Sequence, residues 1–234
     1  MALRLSQLLW TFPMTARRTL SRSDIEAVYD RTGAWQDTQA FYEAPAFDVL
    51  VARGGFGDAR SVVEVGCGTG TLAERLLQRH CPPAARYVGY DLSGTMVRRA
   101  RARLGPFGGR ATVHETDGGL TFDAPDGTHD RVVATYLLDL LSREDARTFL
   151  GEAHRLLREN GRLCLAGLTW GRALVPRCVS ELWNALHRIR PAWVGGCRPL
   201  RQRALLDETR WSVRAHALVT AWGVPSEVLV ATPT

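Results

Sequence analysis

Gly66, Gly68 and Gly70 stand two apart in Ser61 to Gly70, SVVEVGCGTG, and no other stretch restricts the fold of this chain as tightly. Ahead of them Val62, Val63 and Val65 form a short β-branched apolar run, and behind them TLAERLLQRH has helical periodicity. The pattern predicts a buried parallel strand that ends in a tight turn and feeds a helix. Glycine lacks a Cβ, so it takes φ > 0 and lets backbone approach a ligand closely, while the free N–H groups of the next helix point to the same spot. Such a turn suits a small nucleotide-like ligand. A dinucleotide fingerprint, G-x-G-x-x-G, would need glycine at position 71, where this chain has Thr71. With Glu64 two residues before the first glycine, the string is instead E-x-G-x-G-x-G.

Downstream, strands and helices alternate. ARYVGYDLSGTMV predicts a second strand closing on Asp91, 25 residues after Gly66. A carboxylate at that tip can accept hydrogen bonds from both hydroxyls of a ribose. The competing role, capping the helix SGTMVRRARARL, falls more naturally to Ser93. ATVHETDGGL gives a third strand and turn, and THDRVVATYLLDLLS a fourth strand with Thr135 and Tyr136 at its carboxyl end. Ser142 to Asn160 predicts a helix capped by Ser142 and stopped by Asn160-Gly161, followed by a fifth strand, RLCLAGLTWG. Val179, Leu182, Trp183 and Leu186 then trace a helix ending near Pro191, and RQRALLDETR a short one. WSVRAHALVTAWG and SEVLVATP pair as a hairpin with Pro225 in its turn. Strands alternating with helices demand right-handed crossovers and a doubly wound parallel sheet, whose ligands bind outside the carboxyl ends of the strands.

Three regions are expected: a loose N-terminal arm or mis-set start over residues 1–23, a helical segment over 24–58, and the α/β domain over 59–234. Met1 to Ser23 carries four arginines and no acid, and Met14 offers a second start. Ser23 or Asp24 can cap the next helix, and Pro45, after a break, begins another with Phe47, Leu50 and Val51 on its apolar face.

The E-x-G-x-G-x-G string, Asp91, the element order, and the stretches YDRTG, QDTQAFYE, TYLLDLLS and VGGCRP together resemble the class I S-adenosylmethionine (SAM)-dependent methyltransferases, in particular the methyltransferase type 11 group, over about residues 24–232. The resemblance implies an α/β fold with a doubly wound, mostly parallel seven-stranded sheet and a C-terminal antiparallel hairpin. It implies SAM as cofactor, bound by Glu64, Gly66, Cys67, Gly68, Gly70, Asp91, Leu92, Met96, Asp117, Gly118 and Thr135. Among these, Leu92 and Met96 would cover the adenine and Asp117 would accept from its amino group. The N-terminal segment would lie over the SAM pocket as a lid, with Tyr29, Trp35, Gln36 and Tyr42 toward the acceptor or packed on the core. No catalytic base stands out: Tyr29, Tyr136, Asp139 and His187 are candidates, and none is required when the acceptor is already an anion or free amine. Two other readings stay open, a SAM-binding sensor or partner subunit that transfers nothing, and an NAD-dependent oxidoreductase, which Thr71 disfavours.

Composition narrows partners. With 45% hydrophobic and 23% charged residues and no long apolar run, the chain has a soluble composition without a membrane span. Its formal charge is +6, but all 30 basic residues are arginine, a bias that fits a GC-rich genome better than a nucleic-acid surface. The lysine-containing tetrad of ribose methyltransferases therefore cannot exist here, and the Asn-Pro-Pro-Tyr signature of amino-nucleobase enzymes is missing. A small-molecule acceptor remains, held among the N-terminal aromatics, Trp170, Trp183 and the Gly195 to Arg198 loop, with Arg198 either an anion anchor or a loop brace. Five cysteines without a C-x-x-C pair point to reduced thiols in the cytoplasm, and no metal-ligand spacing is present.

Overall fold

The structure, a computed structural model, describes residues 36–234. Seven strands form one sheet: β1 (Ser61–Val65), β2 (Arg86–Asp91), β3 (Ala111–Glu115), β4 (His129–Thr135), β5 (Leu157–Leu168), β6 (Trp211–Ala221) and β7 (Val224–Pro233). Their order across the sheet is β3-β2-β1-β4-β5-β7-β6. The first five run parallel, Val63 pairing with Val88 of β2 on one side and Val132 of β4 on the other, and β7 is antiparallel to both β5 and β6. This is the doubly wound sheet with a terminal antiparallel hairpin that the sequence predicts. The winding reverses between β1 and β4, which opens a crevice at their carboxyl ends.

Among the described residues five α-helices flank the sheet: α1 (Gln36–Gly54), α2 (Thr71–Arg79), α3 (Gly94–Leu104), α4 (Arg143–Leu156) and α5 (Leu174–Ile189). Alternate strand residues feed opposite faces. Val62, Val133 and Val230 join Leu50 of α1, Leu76 of α2 and Ala100 of α3, while Val63, Val132 and Leu229 join Phe149 and Ala153 of α4. β7 is buried along nearly its whole length because it lies inside the sheet; β6, at the edge, alternates toward solvent. No helix among the described residues is long and apolar enough to cross a membrane.

Four elements depart from the expectations. α1 runs unbroken through Pro45. Proline cannot donate to the carbonyl a turn earlier, but Tyr42, Ala46 and Leu50 are buried against the core, and that packing carries the helix across the missing bond. α4 stops at Leu156, four residues early, because the N–H groups of Gly127 and Thr128 take the carbonyls of Arg155 and Leu156 and Leu157 is already extended. Gln202–Leu205 forms only a 3₁₀ turn. The β6–β7 turn is Trp222-Gly223, with φ of 54° and 82°, and Pro225 sits inside β7 opposite Thr220. A type I′ two-residue hairpin needs positive φ at both positions, which proline's fixed negative φ cannot supply.

Candidate functional site

All three glycines of the turn have positive φ: 73° at Gly66, 53° at Gly68 and 77° at Gly70. Any other residue would be strained at each. The turn is tied to β2: the N–H groups of Gly66 and Cys67 donate to the Tyr90 carbonyl at 2.8 and 3.1 Å, and Gly68 N–H donates to Asp91 Oδ2 at 2.7 Å. Ser93 N–H donates to Asp91 Oδ1 at 2.9 Å, and the Ser93 hydroxyl in turn caps α3 by accepting from Met96 N–H. Asp91 lines the crevice, and a carboxylate has more lone pairs than these backbone donors occupy, so it can also accept from a diol there.

A cavity of about 520 Å³ opens at this place. Asp91, Leu92, Gly118 and Leu120 line one end, Gly66 to Thr69 and Thr135 the middle, and Tyr42, Glu43, Phe47, Tyr136, Leu140 and Cys197 the other end. Glu64 reaches the lining behind the turn, where its Oε2 accepts from the Tyr87 hydroxyl at 2.6 Å and burial pushes its carboxyl up to about 8. Cys67 is buried, and desolvation with the nearby Asp91 charge holds its thiol well above the usual range. It acts as a small packed residue, not a nucleophile.

Other expected site residues lie elsewhere. Met96 is fully buried and does not reach the cavity. Asp117 lines a neighbouring hollow with Tyr90 and His114, its Oδ1 accepting from Gly119 N–H, while Thr116, Gly118 and Gly119 line the main cavity. His187 is buried away from the cavity with Nε2 3.1 Å from the Gly196 carbonyl, and burial lowers its pKa. Trp183 donates to the Cys197 carbonyl at 3.1 Å, so it and His187 brace the loop that carries Cys197 to the cavity; Trp170 does not line it. Arg198 is a brace as well, donating to the carbonyls of Asp139 and Leu141. Tyr29 and Trp35 lie outside the described residues, as does the side chain of Gln36.

Tyr136 does line the cavity, in a left-handed conformation with φ of 53°. Its hydroxyl lies 2.9 Å from Ser226 Oγ, and its ring meets the edges of Tyr42 and Phe47 at 5.8 and 6.1 Å. A non-glycine residue held there stores strain that surrounding packing must overcome, a feature that clusters at binding sites. Asp139 is fully buried behind this end; Leu168 N–H donates to its Oδ2 at 3.0 Å, and burial pushes its carboxyl up to about 7. Glu43 and Phe47 were absent from the sequence-based site. Their spacing of four on one helix was the available signal, and the expected break at Pro45 hid it.

A mostly parallel sheet with a glycine turn and a strand-tip carboxylate at its switch point is an arrangement that nucleotide-binding α/β proteins use. Residues 62–161 match the family described as "Methyltransferase domain". The chain is 26% identical over 179 residues to a malonyl-[acyl-carrier protein] O-methyltransferase of Hahella chejuensis, and 32% identical over 163 residues to a trans-aconitate 2-methyltransferase of Azoarcus sp.. These alignments cover 76% and 69% of this chain, and the chain spans 57% of the length of each relative. Among solved structures, the [4+2]-cyclase SpnF superimposes with a TM-score of 0.67 at 15% identity, covering 93% of this chain and 98% of that one, a likeness of fold alone. By these matches the α/β part of the chain is similar to class I SAM-dependent methyltransferases.

Proposed function

We propose that this chain binds SAM and transfers its methyl group to a small organic acceptor. The supporting observation is one continuous cavity that joins the glycine turn and Asp91 to an apolar, aromatic end suited to a second small molecule. In this reading Asp91 holds the ribose hydroxyls, Leu92 covers the adenine, and the turn with Thr135 and Gly118 holds the rest of the cofactor. SAM supplies a methyl group on positively charged sulfur, and the acids Glu43 and Asp91 in the lining suit that charge. The protein's task is then to hold acceptor, methyl and sulfur in line, an alignment that contributes on the order of 7 to 11 kcal/mol in favourable cases. Helix α1 walls the acceptor end of a catalytic domain of 59–234. The relatives named above act on small carboxylic or carrier-bound compounds by their names, which supports a small acceptor over a nucleic acid. Five cysteines, none of them in a disulfide, support a cytoplasmic setting.

Calorimetry with SAM and with S-adenosylhomocysteine tests the binding half. Both ligands bind, and Asp91→Asn weakens each by about tenfold or more, about 1.4 kcal/mol. Unchanged affinity in that variant rejects the assigned site. Transfer is tested by incubating the protein with methyl-labelled SAM and a panel of phenols, amines and carboxylates; tight binding with no labelled product from any of them would favour a sensor.

A further inference from the structure

We propose that Glu43 takes the proton of the methyl acceptor, and that the acceptor is a neutral aromatic hydroxyl compound and not a carboxylate. This rests on the methyl-transfer reading and narrows it. Glu43 lines the cavity from α1 together with Tyr42 and Phe47, whose rings both meet Tyr136. Glu43 acts electrostatically on Tyr42 and Tyr136, which puts its carboxyl at this aromatic end; the other acids of the lining are Glu64, Glu74, Asp91 and Asp145. Among the described residues no histidine lines the cavity, and burial holds the Tyr42 and Tyr136 hydroxyls far above their ordinary range, so neither serves as a base near neutrality. The titratable groups around Glu43 are Tyr42 on α1, Tyr136 and Asp139 after β4, and Cys197 on the loop after α5, with Arg198 beside Asp139.

Burial, then the Asp139 charge, pushes Glu43 up to about 8. A carboxyl that titrates near the working pH is well matched to removing a proton from a weakly acidic hydroxyl. A sulfonium bound alongside pulls Glu43 toward its charged form, so the base is armed by the loaded cofactor. A carboxylate acceptor finds the opposite: Glu43 and Asp139 repel it once they are charged, and the arginines of the lining, Arg75, Arg79 and Arg103, stand on α2 and α3, where Arg75 pairs with Asp48 and Arg103 with Glu74. In the reaction, a Glu43 oxygen accepts the hydroxyl proton and the acceptor oxygen forms a bond to the methyl carbon. The carbon–sulfur bond breaks and its electron pair stays on sulfur. A sulfonium and a carboxylate become a thioether and a carboxylic acid, and Glu43 returns its proton to solvent as product leaves.

Two calorimetric measurements test this without knowing the natural acceptor. With protein saturated in S-adenosylhomocysteine at about pH 9, where Glu43 is charged without the sulfonium, 2-naphthol should bind about tenfold or more tighter than 2-naphthoate, and Glu43→Gln should shrink that preference to about threefold or less. In buffers of differing ionisation enthalpy, SAM binding should release more protons than S-adenosylhomocysteine binding, and Glu43→Gln should abolish the Glu43 share of that difference. Equal affinity for the two naphthyl probes in the native protein overturns the proposal, as does a preference or proton difference that survives in Glu43→Gln. Affinity for S-adenosylhomocysteine itself should change by less than about twofold in the variant; failure of the native protein to bind it would instead reject the cofactor reading.

Discussion

A Cβ on Gly89 would stand 2.9 Å from both Cys67 Sγ and the Tyr87 hydroxyl, so β2 has room for the glycine turn only because position 89 has no side chain. The same cluster contains the buried Glu64, whose Oε2 takes the Tyr87 hydroxyl hydrogen bond. Its folded pKa of about 8 lies above the ordinary 4.5, so between those values the folded protein holds a proton that the unfolded chain has already released. Stability from this group is therefore full below pH 4.5 and is lost as pH rises toward 8. Glu64→Gln, which keeps an acceptor for Tyr87, should flatten the fall in unfolding free energy over that window. Urea unfolding at several pH values checks it, and parallel pH curves for the two proteins would contradict the assignment. At this scale, legibility followed sequence distance. The three glycines and Asp91 could be read because each announces itself locally, by spacing or by ending a strand. Met96 and His187 could not, because only packing decides whether a side chain meets a cavity or a neighbour.

Among the elements, the β6–β7 hairpin shows most directly how a turn chooses its residues. Trp222 is 83% exposed and left-handed, a conformation that costs a bulky residue and that asparagine tolerates. Trp222→Asn should raise stability by about 0.5 to 1 kcal/mol and Gly223→Ala should lower it by about 1 kcal/mol or more, as read from urea midpoints. A stabilised Gly223→Ala would refute the turn geometry. The turn escaped the sequence reading because Pro225 is the louder signal, whereas hairpin register depends on which residues accept positive φ. The ends of α4 escaped it for another reason. Asn160-Gly161 looks like a stop, but the carbonyls of Arg155 and Leu156 in the last helical turn are met by the N–H groups of Gly127 and Thr128, far earlier in the chain. Continuity of α1 through Pro45 has the same origin, since burial of Ala46 and Leu50 on the sheet outweighs one lost hydrogen bond.

For the molecule as a whole, ligand binding and folding are linked. A ligand that binds only the folded protein adds about 2.7 kcal/mol at a concentration a hundred times its Kd, which for a chain of this size raises Tm by about 5 to 11 °C. S-adenosylhomocysteine should produce such a shift in a thermal melt and NAD should not; the reverse would restore the dinucleotide reading that Thr71 disfavours. Local sequence determined the glycine turn, the acid at the tip of β2, and the alternation of strands and helices, because these depend on backbone freedom and on hydrophobic period over a few residues. From them followed the doubly wound sheet and a crevice at its switch point. Tertiary structure alone decided what fills the far end of that crevice. Glu43, Phe47, Tyr136 and Cys197 come from segments far apart in the chain, and no local pattern records that the folded sheet and α1 bring them to one wall.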